Sequence, residues 1–152
     1  VQGIGTCANM HVCKVEGATG YIDTNFEGKM QAAFDELKNG QDYVYIHVEA
    51  PDECGHRGEI QNKVRAIEEI DNKILAPLLE KLKGLDDFTI LIMPDHPTPL
   101  STMTHASDPV PYLLYRSNKP VKSAGIFSEK GAKDSGIYVE KACTLIEKMK
   151  EN

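Results

Sequence analysis

From Glu59 to Lys83 the chain repeats apolar residues in three- and four-residue steps, at Ile60, Val64, Ile67, Ile70, Ile74, Leu78 and Leu82. That period commits the stretch to a long amphipathic helix, and a helix of this kind needs a surface on which to lay its stripe. Pro77 lies inside the run, removes one backbone donor and predicts a kink or break. A second stripe, Met30, Ala33, Phe34 and Leu37, ends before Gly40, which stands where a helix C-terminal cap is expected. A last helix is predicted over about Ile137 to Met149.

Between these helices lie short runs rich in branched and aromatic residues. Tyr43 to Val48 and Phe88 to Met93 read as strands covered on both faces, Met10 to Val15 as a short strand, and Tyr112 to Tyr115 as a further apolar run. Strand and helix alternate, which predicts an α/β fold with a mostly parallel sheet flanked by helices. In such sheets ligands bind beyond the carboxyl ends of the strands. Two polar loops occupy those positions: EAPDECGHRGE after Val48, and PDHPTPLSTMTHASDP after Met93.

The 152 residues match one ordinary domain, with no internal repeat and no low-complexity linker. A net charge of −6 and the lack of a basic run argue against nucleic-acid or anionic-membrane partners, both of which require a positive field. No apolar segment approaches the roughly 20 residues of a membrane span, and a cytoplasmic location is expected. Cys7, Cys13, Cys54 and Cys143 include no C-x-x-C pair, so free thiols are expected, with Cys54 a small packed residue rather than a nucleophile. The opening VQGIG has no initiator Met and reads as the end of an element whose body lies upstream.

The loops concentrate chemistry. Asp52 and His56 form D-x-x-x-H, Asp95 and His96 are adjacent, and His105 follows nine residues later among prolines at 97, 99, 109 and 111. Imidazole nitrogen with carboxylate oxygen suits zinc, manganese, iron or cobalt, and magnesium less well. Each motif has a bland alternative: Asp52, after Pro51, is also placed to cap a following helix. His11 and His47 sit in apolar strand patterns and read as core or edge histidines, while Glu68, Glu69 and Asp71 read as a solvated helix face. Arg57, Lys63 and Arg116 are phosphate-contact candidates by charge alone, with a solvated surface as the other role. Five donors exceed one tetrahedral site and fall short of two complete ones.

The runs HVEAPDECGH, GATGYIDTN and LIMPDHPTPLSTMTHASDPVPYLLY resemble, in order, spacing and wording, the carboxyl-terminal part of the archaeal-type cofactor-independent phosphoglycerate mutases, in the alkaline phosphatase superfamily. The resemblance covers nearly all of residues 1–152. It implies two divalent ions (manganese, magnesium, cobalt or zinc), with Asp52, His56 and His105 on one and Asp95 and His96 on the other. It implies a small-molecule phosphoglycerate substrate and a phosphoserine intermediate. The nucleophilic serine and a further aspartate in an early D-G motif belong to the family's amino-terminal part, and neither motif is present here. Thr98, Ser101, Thr104 and Ser107 lie in the ligand loop, where hydroxyls bond to backbone or orient ligands; Ser107 is the best of these as a nucleophile. Two other readings remain open: a phosphate or phosphonate ester hydrolase of the same superfamily, and a noncatalytic α/β domain. The sequence does not give the oligomeric state.

Overall fold

Asn25 begins the first long helix by accepting a hydrogen bond from the Gly28 amide at 2.8 Å, and its side-chain amide donates to the Glu16 carbonyl at 2.9 Å. One residue therefore caps the helix and ties it to the loop before it. The structure, a computed structural model, describes residues 1–122 and 125–150. These residues divide into two compact units: residues 1–85 with 98–104, and residues 86–97 with 105 onwards.

The first unit is helical. It contains α1 (Gln2–Cys7), α2 (Phe26–Lys38), α3 (Ala50–His56), α4 (Ile60–Ile70) and α5 (Ala76–Leu82), with a π turn, Asp71–Leu75, joining the last two. Its core is Phe26, Met30 and Ala33 of α2, Ala50 and Cys54 of α3, Ala66 of α4, and Ile74, Leu78 and Leu82 beyond it. The stripe on α2 and the stop at Gly40 are as the spacing predicts. Gly40 has φ +95°, and the amides of Gly40 and Gln41 return to the carbonyls of Leu37 and Glu36 at 3.1 Å each, a Schellman ending.

The long helix departs from a single continuous stripe. Ile74, Leu78 and Leu82 are buried, but Ile60, Val64 and Ile67 are 61%, 50% and 53% exposed, and the buried residue of α4 is Ala66. The π turn is the cause. Ala76 donates to Asp71 five residues back, so one residue is inserted relative to an α-helix and the helix face rotates by about 100°. Pro77 lies just beyond, without the donor a regular helix would direct at Lys73; the expected break is a widened turn at Asp71–Leu75. On the outer face Lys73 holds Glu69 at 2.9 Å and keeps that carboxyl below its usual range, while Glu68 and Asp71 are exposed as expected.

The second unit holds β1 (Thr89–Ile92), β2 (Leu113–Arg116), α6 (Glu129–Asp134) and α7 (Leu145–Lys150). β1 and β2 pair antiparallel, with Thr89 opposite Arg116 and Ile92 opposite Leu113. The Ser117 amide donates to the Phe88 carbonyl at 3.0 Å, and the Ser117 hydroxyl accepts from the Phe88 amide at 2.8 Å. Among the unit's described residues Pro111 and Leu145 are buried.

The α/β expectation stands, because helices accompany a small sheet. The mostly parallel sheet does not: among the described residues the sheet is one antiparallel pair. Met10 to Val15 and Tyr43 to Val48 belong to no strand, because no described segment pairs with either, and a branched, aromatic run without a partner has no ladder to join. At the carboxyl end the helix predicted over Ile137 to Met149 shortens to a 3₁₀ turn at Ala142–Thr144 followed by α7, with Gly136 at φ +69° just before the segment. The loop EAPDECGH is helix α3 rather than irregular chain. Among the described residues no helix is long and apolar enough to cross a membrane.

Candidate metal centre

Helix α3 forms because Pro51 stands in its first turn with Asp52 and Glu53, while His56 stands in its last. Proline fits where no amide partner exists, and acidic residues at the start and a histidine at the end follow the helix dipole. The helix stops at Gly58, φ +67°, whose amide returns to the Gly55 carbonyl at 3.1 Å as that of Glu59 returns to Cys54 at 2.9 Å. D-x-x-x-H is thus an i, i+4 pair on one helix face. His56 Nε2 lies 3.4 Å from an Asp52 carboxylate oxygen. Asp52 caps nothing.

The other side of each residue is held. His56 Nδ1 is 3.0 Å from the Met103 carbonyl, an acceptor that calls for Nδ1–H as donor, while Nε2 faces the Asp52 carboxylate. Met103 takes φ +51°, an uncommon conformation for a residue with a side chain. Asp52 accepts a short hydrogen bond from the Thr98 hydroxyl, and Lys63 Nζ donates to the Thr98 carbonyl at 2.7 Å. Thr98 is buried, 5% exposed. A metal-ligating histidine and carboxylate need this kind of outer support.

In the second unit, β1 runs directly into Met93, Pro94, Asp95 and His96, so PDHP stands at a strand's carboxyl end as expected. The Asp95 carboxylate accepts from the His96 amide at 3.1 Å, and its other oxygen lies 3.5 Å from His96 Nε2. The rings of His96 and His105 lie with centroids 3.7 Å apart, tilted 32° to each other, and the Ala106 amide donates to the Pro97 carbonyl at 3.0 Å, pinning the chain on which His105 sits. Asp52 and His56 are thus paired in one unit, and Asp95, His96 and His105 are gathered in the other. The donor chemistry, nitrogen and carboxylate oxygen, fits a divalent ion in both.

Thr98, one of the loop hydroxyls read as bonding to backbone or orienting a ligand, orients Asp52, whereas Lys63 and Met103 were not legible as supports. Their contacts cross 35 to 47 residues and depend on where the 98–104 segment lies. Lys63 is occupied by a carbonyl rather than set out as a phosphate contact, Arg57 lies over the Tyr21 ring at 4.5 Å, and Arg116 donates to the Lys148 carbonyl at 2.5 Å. Cys54 is buried, and burial first of all pushes its thiol up, in keeping with a packed residue. His47 stacks on Tyr45 with centroids 6.3 Å apart. His11, read as a core or edge histidine, is instead an exposed residue paired with Glu36.

This fold carries paired histidines and carboxylates on a helix and a strand end, as a metal-dependent enzyme requires. The chain belongs to the Metalloenzyme superfamily, whose profile matches residues 1–142, and that membership implies binding of divalent metal. Its sequence is 51% identical over 148 residues to the 2,3-bisphosphoglycerate-independent phosphoglycerate mutase of Methanosarcina barkeri, covering 96% of this chain and 37% of that protein. It is 47% identical to the probable enzyme of the same name from Geobacter sulfurreducens, covering 98% of this chain and 37% of that protein. Among solved structures, the PH0037 protein of Pyrococcus horikoshii is similar, with a TM-score of 0.75 and 30% identity, over 87% of this chain and 39% of that one. The chain therefore spans little more than a third of the length of the relatives it matches.

Proposed function

We propose that residues 1–152 are the metal-binding part, carboxyl-terminal in the family the motifs resemble, of a cytoplasmic cofactor-independent phosphoglycerate mutase that interconverts 2-phosphoglycerate and 3-phosphoglycerate. The observation that carries the reading is His56, clamped at Nδ1 by the Met103 carbonyl while Nε2 faces Asp52. A histidine that merely staples a loop needs one partner; a ligand needs its second nitrogen aimed at an ion. Asp52, His56 and His105 would hold one divalent ion and Asp95 and His96 the other, each being manganese, magnesium, cobalt or zinc. When bound, the ions stabilise charge developing on the attacking and leaving oxygens of phosphoryl transfer. The residues of this chain fix the ligands: Thr98 orients the Asp52 carboxylate, and Met103 sets the His56 tautomer. The nucleophilic serine is assigned to no residue of this chain.

The test uses the full-length protein with manganese and 3-phosphoglycerate. Formation of 2-phosphoglycerate, lost together with manganese binding in Asp95→Ala, is the expected result. Release of inorganic phosphate without 2-phosphoglycerate would replace the mutase with a hydrolase of the same superfamily. No calorimetric binding of manganese or zinc at micromolar concentration by a folded protein, with melting unaltered in Asp95→Ala, would leave the noncatalytic reading.

A further inference from the structure

A second set of donors lies in the first unit and has no part in the proposed reaction. His11 and Cys13 stand two apart on the chain before α2, and Glu36 stands near the end of α2. His11 Nδ1 is 3.2 Å from Glu36 Oε1 and 4.0 Å from Cys13 Sγ. One ligand atom from each residue lies within 4.8 Å of the other two. Around a tetrahedral zinc, with bonds of about 2.0 Å to nitrogen or oxygen and 2.3 Å to sulfur, neighbouring donors sit roughly 3.3–3.6 Å apart. The three atoms already approximate one face of that tetrahedron.

We propose that His11, Cys13 and Glu36 bind a thiophilic divalent ion of the zinc class, with the fourth position open to water. The donor types select the ion: a thiolate and an imidazole favour zinc or cobalt over magnesium or calcium, whose preferred ligands are all oxygen. Charge also balances, because a thiolate and a carboxylate together neutralise a dication. Without the ion Cys13 keeps its proton, since burial and then a hydrogen bond to Glu36 raise its pKa. Binding therefore forms a metal–sulfur bond and releases that proton to solvent. A plain His11–Glu36 ion pair at the surface would account for the 3.2 Å contact but not for the Cys13 sulfur lying within 4.8 Å of donor atoms of both partners. The inference stands independently of the reading of the Asp52 and Asp95 motifs.

Cobalt(II) titration of the purified reduced protein tests it, because thiolate-to-cobalt charge transfer gives a near-ultraviolet band that nitrogen and oxygen ligands do not. One equivalent of band intensity is expected, displaced by zinc. Cys13→Ser and Cys13→Ala, each checked for native circular dichroism, should both lose the band, and Glu36→Gln should weaken cobalt affinity at this site at least about tenfold, the lower end of what loss of an outer-shell partner alone costs. Two variants at Cys13 guard against a local fold defect in either. Absence of the band in the unaltered protein, or its survival in folded Cys13→Ser with Cys7, Cys54 or Cys143 as the sulfur source, would overturn the site.

Discussion

Given manganese and 3-phosphoglycerate, residues 1–152 alone should bind the ion and produce no 2-phosphoglycerate. The proposed reaction needs an activated nucleophile to accept the phosphoryl group, and the hydroxyls in the ligand loop are poorly suited to that role. Thr98 is buried and spends its hydroxyl on the Asp52 carboxylate; Thr102 turns its hydroxyl back to the Pro99 carbonyl at 3.3 Å. Ser107, the best candidate by sequence, has His105 and Asp108 as near neighbours in the chain, and the proposed reading commits His105 to the metal rather than to activating a nucleophile. Asp95 and His96 also make an incomplete ligand set for a second ion, so electrostatic stabilisation of the transferring group is weakened as well. Both losses act on the same step, and together they remove several orders of magnitude in rate. Metal binding by calorimetry should persist, because the Asp52–His56 pair and its supports all lie within the first unit. Adding the remaining part of the full-length protein should restore turnover. Robust turnover by the chain alone, abolished in Ser107→Ala, would instead place the nucleophile in this chain.

Much of the candidate site could be read because its signals are local. D-x-x-x-H and D-H are contiguous, and β1 announces itself through Thr89 to Ile92 before the chain turns polar at Pro94. What failed was everything that depends on a partner distant in sequence. Tyr43 to Val48 has the composition of a central strand, yet composition states what a strand would bury and cannot supply the neighbour that accepts its hydrogen bonds. The break expected from Pro77 is present as the π turn at Asp71–Leu75, but the change of phase it imposes on the stripe through Ile60, Val64 and Ile67 could not be read from the spacing. EAPDECGH was read as a loop although it contains helix signals, proline and acids first and histidine last; seven residues are too few for the apolar period to show. His56 was identifiable from its motif, but the Met103 carbonyl that orients it lies 47 residues away.

Gly55→Ala should destabilise the first unit and loosen the Asp52–His56 pair together. Gly55 is buried on α3 between Asp52 and His56, and a Cβ built there would lie 2.8 Å from the Thr98 carbonyl oxygen, 2.9 Å from Thr98 Cγ2 and 2.7 Å from Lys63 Nζ. Lys63 can move its flexible end. The Thr98 backbone cannot yield so readily, because its carbonyl is held by Lys63 and its hydroxyl by Asp52. Overpacking of this kind costs about 1–3 kcal/mol, against a gain of about 0.5–1 kcal/mol from alanine's better helix propensity, so destabilisation wins. The displaced segment is also the one that presents Met103 to His56, and pushing it off α3 loosens both supports of the Asp52–His56 pair at once. Lower denaturant midpoint and weaker manganese binding are therefore expected together. Gly3→Ala is the matched control: Gly3 lies within α1, a Cβ there meets nothing within 4 Å, and only the propensity gain remains. Denaturant unfolding should show Gly55→Ala below the unaltered protein and Gly3→Ala level with it or slightly above, with manganese affinity unchanged in the latter. Equal midpoints and equal affinities for all three proteins would show that the Thr98 segment yields freely, and that its contacts with α3 do not hold the Asp52–His56 pair in place.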